Sequence, residues 1–196
     1  MTVDKPLLFK DYYNPDSVEN MARTFRSLHR SFVTRRFVRN VLTDEFNQAE
    51  LKERMRILAR ALKSELPEAY DRAVSILIRV APSFGSFDNW VLTTYVELYG
   101  LEHFDDSMRA MYALTQHGTA EFTIRPFINR DPERMLVVLR RWVKDDNEHV
   151  RRLVAEGTRP RGVWCEHIPS FRRDPSPVVA LLEQLSADPS LYVRKA

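Results

Sequence analysis

Apolar residues recur at three- and four-residue spacings along nearly the whole chain, the period of amphipathic helices. "NPDSVENMARTFRSLHRSF" opens on Asn-Pro-Asp, a helix start, and aligns Arg23, Arg26 and Arg30 on one helical face. "AELKERMRILARALKSEL" buries Leu51, Met55, Leu58, Ala59 and Leu62. "PEAYDRAVSILIRVA" predicts a helix that begins at Pro67, with Tyr70, Ala73, Val74, Leu77 and Ile78 inward. "FDNWVLTTYVELYG" repeats the stripe through Phe87, Trp90, Val91, Thr94, Tyr95 and Leu98, and stops at Gly100. "LEHFDDSMRAMYALTQHG" and "TAEFTIRPFINR" follow with the same period. No alternating strand pattern or Asn-Gly hairpin interrupts them.

A repeat organises these helices. "DPERMLVVLRRWVKDDNEHVRRL" and "DPSPVVALLEQLSADPSLYVRKA" match at an offset of 43 residues. Asp131 aligns with Asp174, Leu139 with Leu182, Asp145 with Asp188, and Val150-Arg151 with Val193-Arg194. Each unit is a helix, an Asp-marked turn and a second helix, the period of HEAT and armadillo repeats. Residues 16–42, 47–81 and 88–117 have the same rhythm. The expected architecture is an all-α, HEAT-like solenoid, one domain over 1–196, with a concave basic surface. By the same register Ala196 aligns with Leu153, so the last helix pair is expected to be cut short.

Composition changes this picture in one respect. The net charge of +3 is small, but it is unevenly spread. Residues 21–60 carry ten Lys/Arg against four Asp/Glu, residues 61–118 four against eight, and residues 149–173 six against two. Two basic zones flanking an acidic middle suit a phosphate-backbone binder, although a solvated helix face has the same composition. The single cysteine, Cys165, excludes an intramolecular disulfide and points to a reducing compartment. The start "MTVDKPLLFKDYYNPD" lacks the apolar core of a leader, and no run is apolar enough for a membrane span. A soluble, cytoplasmic protein is expected.

Candidate chemistry is sparse. Phosphate-binding glycine loops, dinucleotide fingerprints and nucleophile elbows are missing. Cys165, His167 and His149 are too loosely spaced for a metal site, so no metal and no cofactor is expected. Two carboxylates stand out. Glu121 precedes "FTIRPF", where Thr119 as a cap and an i,i+4 pair with Arg125 give it a purely structural explanation. Glu156 ends its helix one turn after Arg152, the weaker order for such a pair and the wrong end of the helix dipole for an acid. Trp90 and Trp142 lie on apolar stripes. Trp164 belongs to none and sits near Arg159 and Arg161, either as a plug for the core or as a π-face for a base.

The motifs "FDNWVLTTYVELYGLEHFDDSM", "FTIRPFINRDPERM" and above all "HVRRLVAEGTRPRGVW" resemble the AlkC branch of the AlkC/AlkD DNA-alkylation-repair glycosylases, a HEAT-like family, from near Lys10 to the end. The resemblance implies a monomeric hydrolase that cuts the N-glycosidic bond of cationic alkylated bases, 3-methyladenine in type, in double-stranded DNA. It implies Glu121 and Glu156 as catalytic acids, Trp164 as the stacking partner of the damaged base, and Arg152, Arg159 and Arg161 as DNA contacts. One departure is plain. In the family the "YVR" motif runs on roughly as "SVANNLND", whose aspartate resembles a further catalytic acid, and some members add a small β domain. Here the chain reads "YVRKA". Two rivals stay open: a helical-repeat module that binds DNA without cutting it, and a solenoid whose basic zones meet an acidic protein.

Overall fold

The computed structural model describes residues 8–196. Residues 1–7, on which the reading of the chain's start partly rests, lie outside the described residues. Among the described residues there are thirteen α-helices and no β-strand. They are α1 (Pro15–Leu28), α2 (Thr34–Val41), α3 (Asp44–Gln48), α4 (Leu51–Glu65), α5 (Tyr70–Val80), α6 (Ser86–Tyr99), α7 (Phe104–Leu114), α8 (Ile124–Arg130), α9 (Pro132–Trp142), α10 (Glu148–Thr158), α11 (Pro169–Arg173), α12 (Ser176–Leu185) and α13 (Leu191–Arg194). None is long and apolar enough to cross a membrane.

The helices stack in two layers, as the repeat requires. Helices α2, α4 and α6 pack in succession in one layer, and α8, α10 and α13 continue it. Thr123, just before α8, ties that helix to α6 by donating to the Thr93 carbonyl (2.9 Å). The other layer runs through α1, α5 and α7, with α9 against α12. Met135, Val138, Leu139 and Trp142 of α9 face inward and are buried. The acidic middle lies largely on the second layer. There Glu102 takes both ends of the Arg130 guanidinium (2.6 and 2.9 Å) and Asp105 takes Arg134 (3.0 Å).

Local chemistry explains where helices start. Asn14 accepts from the Ser17 amide (3.1 Å) while Ser17 accepts from the Asn14 amide (3.0 Å), a reciprocal cap ahead of Pro15. The repeat signature has the same physical content in both units. Asp145 accepts from the Asn147 amide (2.9 Å) and Asp188 from the Ser190 amide (2.8 Å). Arg151 then donates to the carbonyls of Asp145 (2.8 Å) and Asp146 (3.0 Å), as Arg194 does to those of Asp188 and Pro189. Aspartate folds the turn, and arginine from the next helix closes it.

Two expectations fail locally. The helix predicted from Pro67 begins at Tyr70, because Leu66 is held extended before the proline and Ala69 supplies the first helical carbonyl (3.0 Å). Arg30 is not on a face with Arg23 and Arg26, because α1 ends at Leu28. Arg26 instead donates to the Phe32 carbonyl (3.2 Å), and Arg23 pairs with Glu19 (3.4 Å).

Candidate active site

Glu121 does not pair with Arg125. It sits in the turn before α8, where its amide donates to Thr119 Oγ1 (3.2 Å) and its Oε2 accepts from that hydroxyl (3.1 Å). Its charged partner is Arg152 on α10, with Nη1 at 3.5 Å. The other end of the same guanidinium, Nη2, lies 3.5 Å from Glu156 Oε1. Glu156 Oε2 in turn faces Arg159 Nε at 3.3 Å. Two carboxylates from different helical repeats thus share one cation. Their side chains are only 22% and 17% exposed, so water screens them weakly.

Tyr192 of α13 closes the outer side, with Arg152 stacked 4.9 Å above its ring. Burial raises the Tyr192 hydroxyl above its ordinary range, against the opposing pull of Arg152. The weaker i,i+4 order of Arg152 and Glu156 is therefore occupied all the same, held by the tertiary partners Glu121 and Tyr192.

Trp164 is not a core plug. The residue is 49% exposed, and its backbone has φ 66°, a conformation bulky side chains rarely adopt. Such a residue persists only when its surroundings over-determine it. Lys52 from α4 donates to the Trp164 carbonyl (2.7 Å), and Phe9 meets the indole edge-on at 6.1 Å. An aromatic run leads from Trp164 through Phe9 and Phe87 (6.0 Å), Trp90 (4.7 Å) and Phe122 (6.0 Å), the neighbour of Glu121. Lys52 sits 5.6 Å from the Phe122 ring centre, so it stands between the indole loop and the Glu121 turn. An open cavity of about 280 Å³ borders Trp164, Phe9, Leu51 and Lys52. Trp142 is buried as the stripe predicts, whereas Trp90 is half-buried.

The arginines differ. Arg152 is largely enclosed, while Arg159 is half exposed. Arg161 is exposed and has no ion pair among the described residues. Cys165 lies near Arg125 and beside Gly162, and its thiol is pushed up by burial. The loosely spaced histidines go elsewhere: His149 meets Tyr192 edge-on at 5.4 Å, and the His167 carbonyl accepts from Asn129 (2.9 Å).

Sequence reasoning did not single out Lys52 or Glu97, and it named Arg125 only as a local partner of Glu121. Glu97 on α6 is raised by burial, opposed by Lys52 and Arg56 of α4, the latter at 3.6 Å. Lys52 and Arg56 fall in the first basic zone, so charge had marked the segment but not the side chains.

No protein-family model matches the chain. It is 41% identical over 187 residues to the uncharacterized protein YhaZ of Bacillus subtilis (strain 168), covering 95% of this chain and 52% of that protein. It superposes with a TM-score of 0.93 and 33% identity on Pseudomonas fluorescens alkylpurine DNA glycosylase AlkC bound to DNA containing an abasic site analog, over 97% of this chain and 54% of that one. The chain therefore spans about half the length of these relatives. Over that half, in sequence and in helical-repeat fold alike, the chain is similar to the AlkC alkylpurine DNA glycosylase.

Proposed function

We propose that this chain carries the lesion-recognition and hydrolytic face of a DNA glycosylase for cationic alkylated bases, 3-methyladenine in type. The observation that carries the reading is the pair of carboxylates, Glu121 and Glu156, gathered on Arg152, with Lys52 linking the Glu121 turn to the loop of the exposed Trp164. The likeness to an alkylpurine DNA glycosylase solved with DNA supports it.

Such a base already carries the positive charge that makes it a good leaving group. The C1′–N bond breaks, its electron pair goes with the base, and the base leaves neutral. The sugar becomes an oxocarbenium ion. A water oxygen then bonds to C1′ and gives up one proton. Glu121 and Glu156 stabilise the sugar cation electrostatically, and one of them accepts that proton. Arg152 is shared by both carboxylates in the free protein, so on binding it turns to a phosphate and frees them for the cation. Arg159 and Arg161 hold the backbone on either side. The indole attracts the cationic base through its π-face, and the cavity of about 280 Å³ beside it leaves room for a purine. The protein acts as a cytoplasmic monomer on duplex DNA at the nucleoid.

Release of 3-methyladenine from methylated duplex DNA, followed by chromatography, tests the reading. Free base is the expected product. DNA binding with no release would leave a binding module, and no binding would leave the protein-interaction solenoid. Trp164→Ala should weaken binding to lesion-bearing duplex by about tenfold, the scale of a desolvated cation–π contact, and leave plain duplex unaffected. Fluorescence anisotropy with both duplexes separates these outcomes. Arg161→Ala should weaken binding to both duplexes alike and reduce the slope of log affinity against log salt by about 1.

A further inference from the structure

Arg125 is the largest fully buried side chain, 1% exposed, yet no carboxylate lies within ion-pair distance of it among the described residues. Burial pushes the pKa of its guanidinium below the ordinary value, opposed by the electrostatic pull of Cys165, Glu121 and Glu156. A charge buried without an ion-pair partner is costly, and this one leaves Nε without any partner. Packing alone does not explain it, since an apolar side chain would fill the same space more cheaply.

Its bonds identify the role. Nη2 donates to the Glu156 carbonyl (3.2 Å), one of the carbonyls left unpaired in the last turn of α10. Nη1 donates to the Glu166 carbonyl (2.8 Å), two residues beyond Trp164. The loop runs close over the guanidinium: a Cβ on Gly162 would lie 3.1 Å from Arg125 Nη2 and 2.4 Å from Cys165 Sγ. Arg125 itself follows the Glu121 turn at the start of α8. One rigid group, rooted four residues after Glu121, therefore bonds the Glu156 backbone and the loop two residues past Trp164.

We infer that Arg125 is a positioning residue, whose guanidinium sets the spacing between the Glu156 helix end and the Trp164 loop. A planar fork suits this task, because it holds two carbonyls in fixed directions. An ammonium would satisfy the charge without fixing both. The kinetic consequence rests on the glycosylase reading above; the structural one does not.

The test uses the 196-residue chain labelled with 5-fluorotryptophan. Its fluorine spectrum has three tryptophan signals, and Trp164→Phe assigns one of them. In Arg125→Met the Trp164 signal should move to the solvent-exposed position and sharpen, while Trp90 and Trp142 stay in place. Arg125→Lys should give a smaller shift in the same direction. On methylated duplex, kcat for base release should fall about tenfold in Arg125→Met, with KM changed by less than about twofold. An unmoved Trp164 signal in folded Arg125→Met overturns the inference. So does loss of folding in both variants, or displacement of all three signals together, either of which makes Arg125 merely structural. If the unaltered chain releases no base, the glycosylase reading fails and the fluorine spectra still decide the positioning role.

Discussion

Glu156→Gln is expected to lower base release from methylated duplex DNA by about 10²- to 10³-fold. Glutamine keeps the shape of the side chain and one acceptor oxygen, which serves either Arg152, now 3.5 Å from Oε1, or Arg159, now 3.3 Å from Oε2, but not both. What it removes is the negative charge. Stabilisation of an oxocarbenium-like sugar depends on that charge, whereas DNA binding depends on arginines that the substitution leaves in place. Affinity for duplex should thus change little or rise slightly. Stability should change only modestly, because Arg152 keeps Glu121 as a carboxylate partner. The useful comparison is single-turnover release against anisotropy on the same duplex. Equal losses in both would assign Glu156 to binding rather than chemistry.

Asp188→Ala is expected to cost about 3 kcal/mol of folding stability at neutral pH. Asp188 is buried and takes Arg151 of α10 in two parallel bonds, 2.6 and 3.0 Å, while accepting the Ser190 amide. The substitution strands an arginine that is itself mostly enclosed, and it unties α10 from the turn between α12 and α13. The Arg151 hydrogen bonds, with support from the Ser190 amide and Arg194, hold the Asp188 carboxyl below the usual carboxylate range. A depressed folded value means that the stabilisation is complete above the unfolded carboxylate range. It is lost as pH falls through the lower folded value. Melting curves of the two proteins at stepped pH should therefore converge in acid. A gap that stays constant down to that range would show that the turn, not the ion pair, carries the effect.

The solenoid was legible because it is periodic. Helix faces, the offset of 43 residues and the Asp and Arg of each turn repeat locally, and local hydrogen bonds realise them in both units. Leu139 and Leu182 show the limit of that reading. They are equivalent in sequence, yet the first is fully buried and the second is 37% exposed, because burial depends on what stacks next. The candidate site was legible in part. Trp164 announced itself by fitting no stripe, and Glu156 by its unhelpful place at a helix end. Glu121 was masked by a convincing local partner, Arg125, four positions along the same segment.

By itself, then, the sequence determined the helices, their caps, the repeat and the odd residues out. These follow from interactions within about one helical turn or one repeat, where spacing stands in for distance. Only the tertiary structure decided that Arg152 reaches Glu121 across 31 positions and so joins it to Glu156, that Lys52 reaches the Trp164 carbonyl across 112, and that Arg125 turns away from its neighbour to grip two distant carbonyls. A guanidinium has several geometrically permitted partners, and local spacing cannot choose among them. The choice is made when the layers stack, water is excluded, and each enclosed charge must find whichever oxygen the packing has brought within reach.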